Sequence, residues 1–300
     1  MSGTNGSHLI AAILAVLLWS TSFVGTKIAY ESFAPLTLGA CRFVIAFLAL
    51  GGVLAITREF ILPTPRDTGI LAASGLLGIT LYFSMENIGV SLTSASNAAL
   101  IVASYPAITI LLERIVYGIP VSRIKGLGVA LAMIGVYLLS GAGRQGPENG
   151  QLAGNLILAA TGIVWALYNF ATRAVINKYP AVTVSFFQTA IGTAAFIPLA
   201  CLESDSWKIP DTEGFLMLLY LGVFCSVAAF MLYNHGLKKL SAGTAVTLMN
   251  LVPVFGVLLS VLVLDENVRA DQLIGGAIVI GGVFLSVKPP RASRTAMECR

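Results

Sequence analysis

Apolar runs of about 20 residues recur along almost the whole chain, and no other feature of the sequence restricts its fold as strongly. A helix needs roughly 20 predominantly apolar residues to cross about 30 Å of hydrocarbon. Runs of that size can be cut at 9–29, 36–56, 69–90, 97–117, 124–141, 152–173, 181–201, 214–235, 243–264 and 272–288. Of the 18 Lys and Arg and the 14 Asp and Glu, only Lys27, Arg42, Glu86, Glu113, Arg114, Lys125, Arg173 and Lys288 lie inside them. Soluble domains are about 25% charged, whereas this chain is 11% charged and 57% hydrophobic. Its mean hydropathy is +0.87. Two soluble domains, which 300 residues would otherwise suggest, could not be coated with so few charges. The first run has no basic stretch before it and is longer than a leader's apolar region, so it reads as a retained span.

Ten spans put both termini on one side, and the basic residues then decide which side. Lys27, Arg144, Lys208 and Arg269 fall opposite the termini, against thirteen Lys and Arg on the terminal side, Arg58, Arg66, Arg123 and Lys178 among them. Basic loops stay in the cytoplasm, so both termini are expected there. Residues 202–213, with Glu203, Asp205, Asp211 and Glu213, become an outer acidic loop and read as a solvated connector. Net charge is only +4 and scattered, which argues against nucleic acid as a partner. Cys41, Cys201, Cys225 and Cys299 form no CxxC pair and lack a His partner, so neither a disulfide framework nor a metal site is implied.

The second half repeats the first at an offset of 146 to 147 residues. Trp19 falls on Trp165, Lys27 on Arg173, Arg42 on Gln188, and Pro106 on Pro253. Gly75, Phe83, Asn87 and Gly89 fall on Gly222, Phe230, Asn234 and Gly236; Gly128 falls on Gly275 and Gly135 on Gly282. The expected units are 1–146 and 147–300. Each holds five spans, and because five is odd the second must cross the membrane inverted. Inverted repeats are a recurring transporter plan, with a substrate site near the midplane between the copies. The fold expected is an all-α polytopic membrane protein of ten helices in two inverted five-helix repeats.

The run Leu18-Trp19-Ser20-Thr21-Ser22-Phe23-Val24, followed by Lys27, Pro35 and Arg42-Phe43, resembles the opening of EamA-type members of the drug/metabolite transporter superfamily. Asn234 to Gly243, then Pro253, Asp265-Glu266 and a glycine-rich last span, resemble the second unit of that family. The resemblance covers nearly the whole chain. It implies two inverted five-helix bundles, a central cavity lined mainly by the first, third, fourth, sixth, eighth and ninth helices, and export of small metabolites. One departure is visible: the acidic residue that commonly follows the fourth or ninth helix is present as Glu266, while its counterpart is Ile119.

Polar and aromatic residues deep in the spans are the candidate site. A Trp belongs by default at the lipid–water interface, which suits Trp207, whereas Trp19 and Trp165 lie mid-span at matched positions and read as cavity walls. Ser22, Tyr82, Tyr105, Tyr168, Asn169, Gln188 and Asn250 join them as expected substrate contacts, since a buried amide or phenol needs a partner helix or a wet cavity. Arg42 and Glu86 lie at comparable depth and are expected to pair, with carboxylate binding by Arg42 as the alternative; His235 is expected to hydrogen-bond near the cytoplasmic end. Pro106 and Pro253 free the carbonyls of Val102 and Met249, as kinks or as hinges. Gly128, Ala132, Gly135, Gly275, Gly276, Gly281 and Gly282 offer small faces for close packing, within the chain or between protomers.

There is no GxxxxGK[ST], HExxH or GxSxG motif and no carboxylate cluster at ligand spacing in the spans, so an intramembrane enzyme lacks its parts and no cofactor or metal is called for. The expected protein is a multi-pass inner (plasma) membrane exporter of small organic metabolites. Amino acids with aromatic or bulky side chains are favoured, and the chain also resembles the amino-acid exporter branch of the family. Efflux of cationic drugs by proton antiport is the alternative. The expected partners are a small-molecule substrate and the lipid bilayer, with the chain a monomer and a dimer left open. With Glu86 and Glu113 displaced towards opposite faces, transport without obligatory proton exchange is expected.

Overall fold

The computed structural model describes residues 3–139, 149–237 and 251–287. Asn250, Met249, Arg144, Lys238, Lys239 and the basic residues beyond 287 lie outside the described residues. All regular structure among the described residues is helical. The helices are α1 (Gly3–Ala29), α2 (Pro35–Thr57), α3 (Pro65–Leu92), α4 (Ala95–Tyr117), α5 (Arg123–Leu139), α6 (Asn149–Arg173), α7 (Ala181–Ala200), α8 (Thr212–Tyr233, continuing to Leu237), α9 (Leu251–Leu264) and α10 (Ala270–Val287). Seven of them, α1 to α4 and α6 to α8, are long and apolar enough to cross a membrane. The expected count of ten crossings therefore goes beyond what length and apolarity establish among the described residues: α5 has 17 residues, and the described part of α9 has 14.

Local chemistry sets the helix ends. Thr64 and Ser94 cap α3 and α4 by accepting from the N–H of Asp67 at 3.3 Å and of Asn97 at 3.1 Å, and Asp211 caps α8 through the Gly214 N–H at 2.8 Å. Helix α4 stops at Gly118, whose φ of 67° is a left-handed conformation that glycine adopts without a Cβ penalty. Helix α2 starts at Ala34-Pro35 with no side-chain cap of its own. The carboxylate of Glu203 supplies one instead, accepting from Leu36 N at 3.1 Å, Thr37 N at 2.7 Å and Thr37 Oγ1 at 2.9 Å. Glu266 does the same for α4, accepting from Ala95 N at 2.8 Å, Ser96 N at 3.1 Å and Ser96 Oγ at 2.7 Å. The acidic loop is thus more than a solvated connector, because Glu203 and Asp211 both hold helix N-termini.

The distribution of polarity is that of a chain whose solvent is lipid. Leu48, Ile56, Phe224 and Leu262 face outward, while Ser20, Arg42, Asn87, Ser104, Thr161 and Gln188 are buried. Helix α1 packs on α8 and α9, and α6 packs on α3 and α4; α2 pairs with α7, and α5 with α10. Exchanging the first five helices for the last five leaves that set of pairings unchanged. The α5–α10 seam is the closest: a Cβ on Gly128 would come within 2.5 Å of Gly282 O and Ser286 N. Gly128, Ala132, Gly135, Gly275 and Gly282 therefore meet across this seam inside one chain, while Gly276 lies against Leu100 and a Cβ on Gly281 would meet nothing within 4 Å.

Candidate functional site

Helices α1, α2, α3, α4, α6, α8 and α9 enclose a cavity with about 50 Å³ of space open to a water molecule. Trp19, Ser22, Phe23, Arg42, Tyr82, Phe83, Glu86, Val102, Tyr105, Trp165, Phe230 and Val252 line it. Ligand pockets run to about 300–1,000 Å³, so the space between the walls is small here. A larger hollow of about 520 Å³ lies between α2, α7, α8 and the connections that precede α2 and follow α7, but its lining is mostly apolar and includes none of the predicted site residues. The central cavity is the candidate site on chemistry rather than on size.

Each repeat places a tryptophan there by a different contact. In α8 the backbone loosens into a π-helical turn over Leu221–Ala228, and the Ala229 N–H reaches back to Phe224 O. The Ala229 N–H thus does not take the Cys225 carbonyl, which accepts from Trp19 Nε1 at 3.1 Å, while the Trp19 ring lies 5.2 Å from Phe230 and 4.9 Å from Tyr233. Helix α3 has its own π-helical turn at Leu76–Leu81, close to the matching position. Beyond it, Tyr82 sits 5.3 Å from the Trp165 ring, edge-on to Tyr105 at 6.3 Å and to Phe83 at 4.9 Å. The Tyr105 hydroxyl is held by Thr161 and by Leu158 O. Helix α4 breaks at Ala103–Ser104, two residues ahead of Pro106, which turns Tyr105 inward at the start of the second segment. Pro253 lies in the first turn of the described part of α9.

Two charges share this wall. Arg42, 3% exposed, donates from Nε to Ser226 Oγ at 2.7 Å, and its guanidinium carbon stands 4.7 Å over the Phe83 ring and 5.7 Å from Phe43. Glu86 accepts from the Tyr82 hydroxyl at 3.1 Å. Arg42 and Glu86 are not an ion pair within 4.0 Å, so the direct pairing expected from sequence is corrected. Glu86, expected in the outer part of its span, lines the same cavity as Trp19.

The remaining predicted residues lie elsewhere. Gln188 Nε2 donates to Ser74 Oγ at 2.9 Å and to Thr172 Oγ1 at 3.0 Å, and so joins α7 to α3 and α6 away from the cavity. Asn169 Nδ2 is spent on its own helix at Trp165 O, 2.8 Å away. Tyr168 stacks behind Trp165 at 5.3 Å without lining the cavity. The His235 ring stacks on that of His8 at 4.3 Å, and its carbonyl lies 2.9 Å from His8 Nδ1. Glu113 pairs with Arg173 at 3.4 Å near a helix end. Phe23, Phe83, Val102, Phe230 and Val252 line the cavity without having been marked as lining residues by the sequence, because apolar residues on a cavity wall carry nothing that separates them from core. Helix α2 was missing from the expected lining and enters through Arg42. No group of three or more metal-ligating side chains occurs among the described residues.

Comparison with known proteins matches the model of the EamA-like transporter family to residues 6–141 and 152–288. An uncharacterized transporter of Archaeoglobus fulgidus is 28% identical over 282 residues, covering 93% of this chain and 96% of that one. The uncharacterized transporter YetK of Bacillus subtilis is 28% identical over 301 residues, covering 98% and 91%. A probable terminal-alkyne amino-acid exporter of Streptantibioticus cattleyicolor is 26% identical over 278 residues, covering 92% and 91%. A crystal structure of another protein, 23% identical, superposes with a TM-score of 0.64 over 94% of this chain and 96% of its own, so the two share a fold.

Proposed function

This chain belongs to the EamA-like transporter family, and we propose that within it the protein exports small organic metabolites across the inner membrane, foremost amino acids with aromatic or bulky apolar side chains. The observation that carries this reading is a central cavity walled by Trp19, Trp165, Tyr82 and Tyr105, apolar faces with polar tips contributed by both repeats. One relative of similar length is a probable exporter of an amino acid, which supports the same class. In this proposal ten helices cross the membrane as two inverted units, 1–146 and 147–300, with both termini in the cytoplasm. The basic-residue asymmetry and the exchange-symmetric helix pairing support it.

A second reading, efflux of cationic compounds, draws on Glu86 in the cavity wall; the guanidinium of Arg42 on the same wall opposes a bare cation. Efflux from proteoliposomes loaded with a panel of amino acids, and separately with cationic dyes, tests the two. Release of aromatic and branched amino acids above protein-free vesicles supports the first reading. Release of dyes alone replaces it with the second.

A further inference from the structure

We propose that Arg42 and Glu86 form the two poles of the substrate site, Arg42 taking the carboxylate and Glu86 the ammonium group of an amino-acid zwitterion; this rests on the exporter reading. The argument begins with unmet valence. A guanidinium withdrawn from water needs partners for its donors. Arg42 is almost fully buried, and its one protein hydrogen bond among the described residues runs from Nε to Ser226. Its guanidinium carbon stands over the Phe83 ring, and its two terminal amino groups take no protein acceptor there. Glu86 accepts from Tyr82 at Oε1, and its other oxygen takes no protein donor among the described residues. The obvious remedy, a direct ion pair, is not made.

The fold itself does not call for these charges. At the repeat offset Arg42 corresponds to Gln188, and Glu86 to Tyr233, both neutral. Gln188 satisfies the equivalent helix junction with bonds to Ser74 and Thr172, and Tyr233 simply packs on Trp19. The same architecture therefore stands in the second repeat without either charge. In the first repeat the charges hang from neighbouring residues of α3: Arg42 lies over Phe83, Phe83 meets Tyr82 edge-on, and Tyr82 holds Glu86. A cation alone or an anion alone would leave one of the two charges uncompensated in a low-dielectric site. A ligand carrying both, with an apolar remainder against the tryptophans, compensates both at once.

Counterflow of labelled L-phenylalanine and L-leucine into proteoliposomes of the full chain tests this. Competitors are phenylalanine itself, phenethylamine, which lacks the carboxylate, and 3-phenylpropionate, which lacks the ammonium. Each missing pole removes charge-assisted hydrogen bonds, so each analogue should compete roughly ten- to hundredfold less well than phenylalanine. Arg42→Gln, which installs the residue of the other repeat, should erase the handicap of phenethylamine and leave that of 3-phenylpropionate. Glu86→Gln should do the reverse. A merely structural role would lower transport without exchanging these preferences. If both analogues compete as well as phenylalanine in the wild-type protein, the pole assignment is overturned while the exporter reading stands, and this arm needs no variant to fold. Absence of counterflow for both amino acids overturns both.

Discussion

Removing the carboxylate of Glu266 should loosen the start of α4 by an amount that can be worked out from its contacts. That carboxylate accepts from two backbone N–H groups and one hydroxyl, at 2.8, 3.1 and 2.7 Å. Ser94 already caps the Asn97 N–H, so the two amides at Ala95 and Ser96 are the ones left without a protein partner. A hydrogen bond to a charged group contributes about 1.5–3 kcal/mol when buried, and a carboxylate at a helix N-terminus about 0.3–1 kcal/mol when exposed. Glu266 is partly exposed, and water can reach the freed amides, so Glu266→Ala should cost about 2 kcal/mol and Glu266→Gln about 1 kcal/mol. For a chain of this size that is a fall in melting temperature of about 4 °C and about 2 °C. Detergent-purified protein, heated and then run through fluorescence-detected size exclusion, would show it. Glu203→Ala should behave alike at α2, where Ala34 offers no cap, while Asp205→Ala, an exposed neighbour, should shift the midpoint little. Should Glu266→Ala melt with the wild type, the cap is not holding α4 and the reasoning is wrong.

Three further outcomes follow from the same structure. Gly128→Leu should sharply reduce the folded, monodisperse fraction, because the atoms it would strike, Gly282 O and Ser286 N, are backbone and cannot swing aside; overpacking of this kind costs about 1–3 kcal/mol or more. Asp211 is held below the usual aspartate range by the Gly214 N–H and the Ser32 hydroxyl, so its contribution is present at neutral pH and is lost as pH falls through that lowered value. Melting curves of wild type and Asp211→Asn should accordingly separate at about pH 7 and converge as pH falls below the ordinary aspartate value of about 4. Single cysteines beside Arg66 and Asp205, in a background without the four native cysteines, should be labelled from opposite membrane faces; labelling of both by an impermeant reagent in intact cells would refute the proposed topology.

What could be read from the sequence was local or repeated. Helix positions follow from apolar runs, because the penalty for an unpaired backbone in hydrocarbon leaves a long apolar stretch no alternative to helix. The repeat offset brought Trp19 and Trp165 forward as a pair, and the break before Pro106 follows from its missing N–H. What escaped was the direction each side chain takes. Depth in a span does not say whether a residue faces a cavity or a neighbouring helix, so Gln188 and Asn169 looked equal to Tyr82 and yet bond to helices. Glu203 and Glu266 cap helices whose starts lie about 170 residues earlier; the family resemblance marked Glu266, but no local pattern announces either cap. For Glu203 the available signal was negative: Ala34-Pro35 opens a helix with no residue able to cap it. The π-helical turn that carries Cys225, whose carbonyl accepts from Trp19, has no sequence mark either.

The account stands on substrate passing between Trp19 and Trp165, and one residue of that cavity reports on it directly. Ser22 lines the wall and its hydroxyl bonds only to Trp19 O at 2.7 Å among the described residues, so a cysteine in its place disturbs little. In proteoliposomes carrying Ser22→Cys in the cysteine-free background, an impermeant thiol reagent should react when applied from either face in turn. The same reaction should slow in proportion to occupancy when L-phenylalanine is present. Transport that continues unchanged after complete labelling of that cysteine, with no protection by any amino acid, would show that the path lies elsewhere.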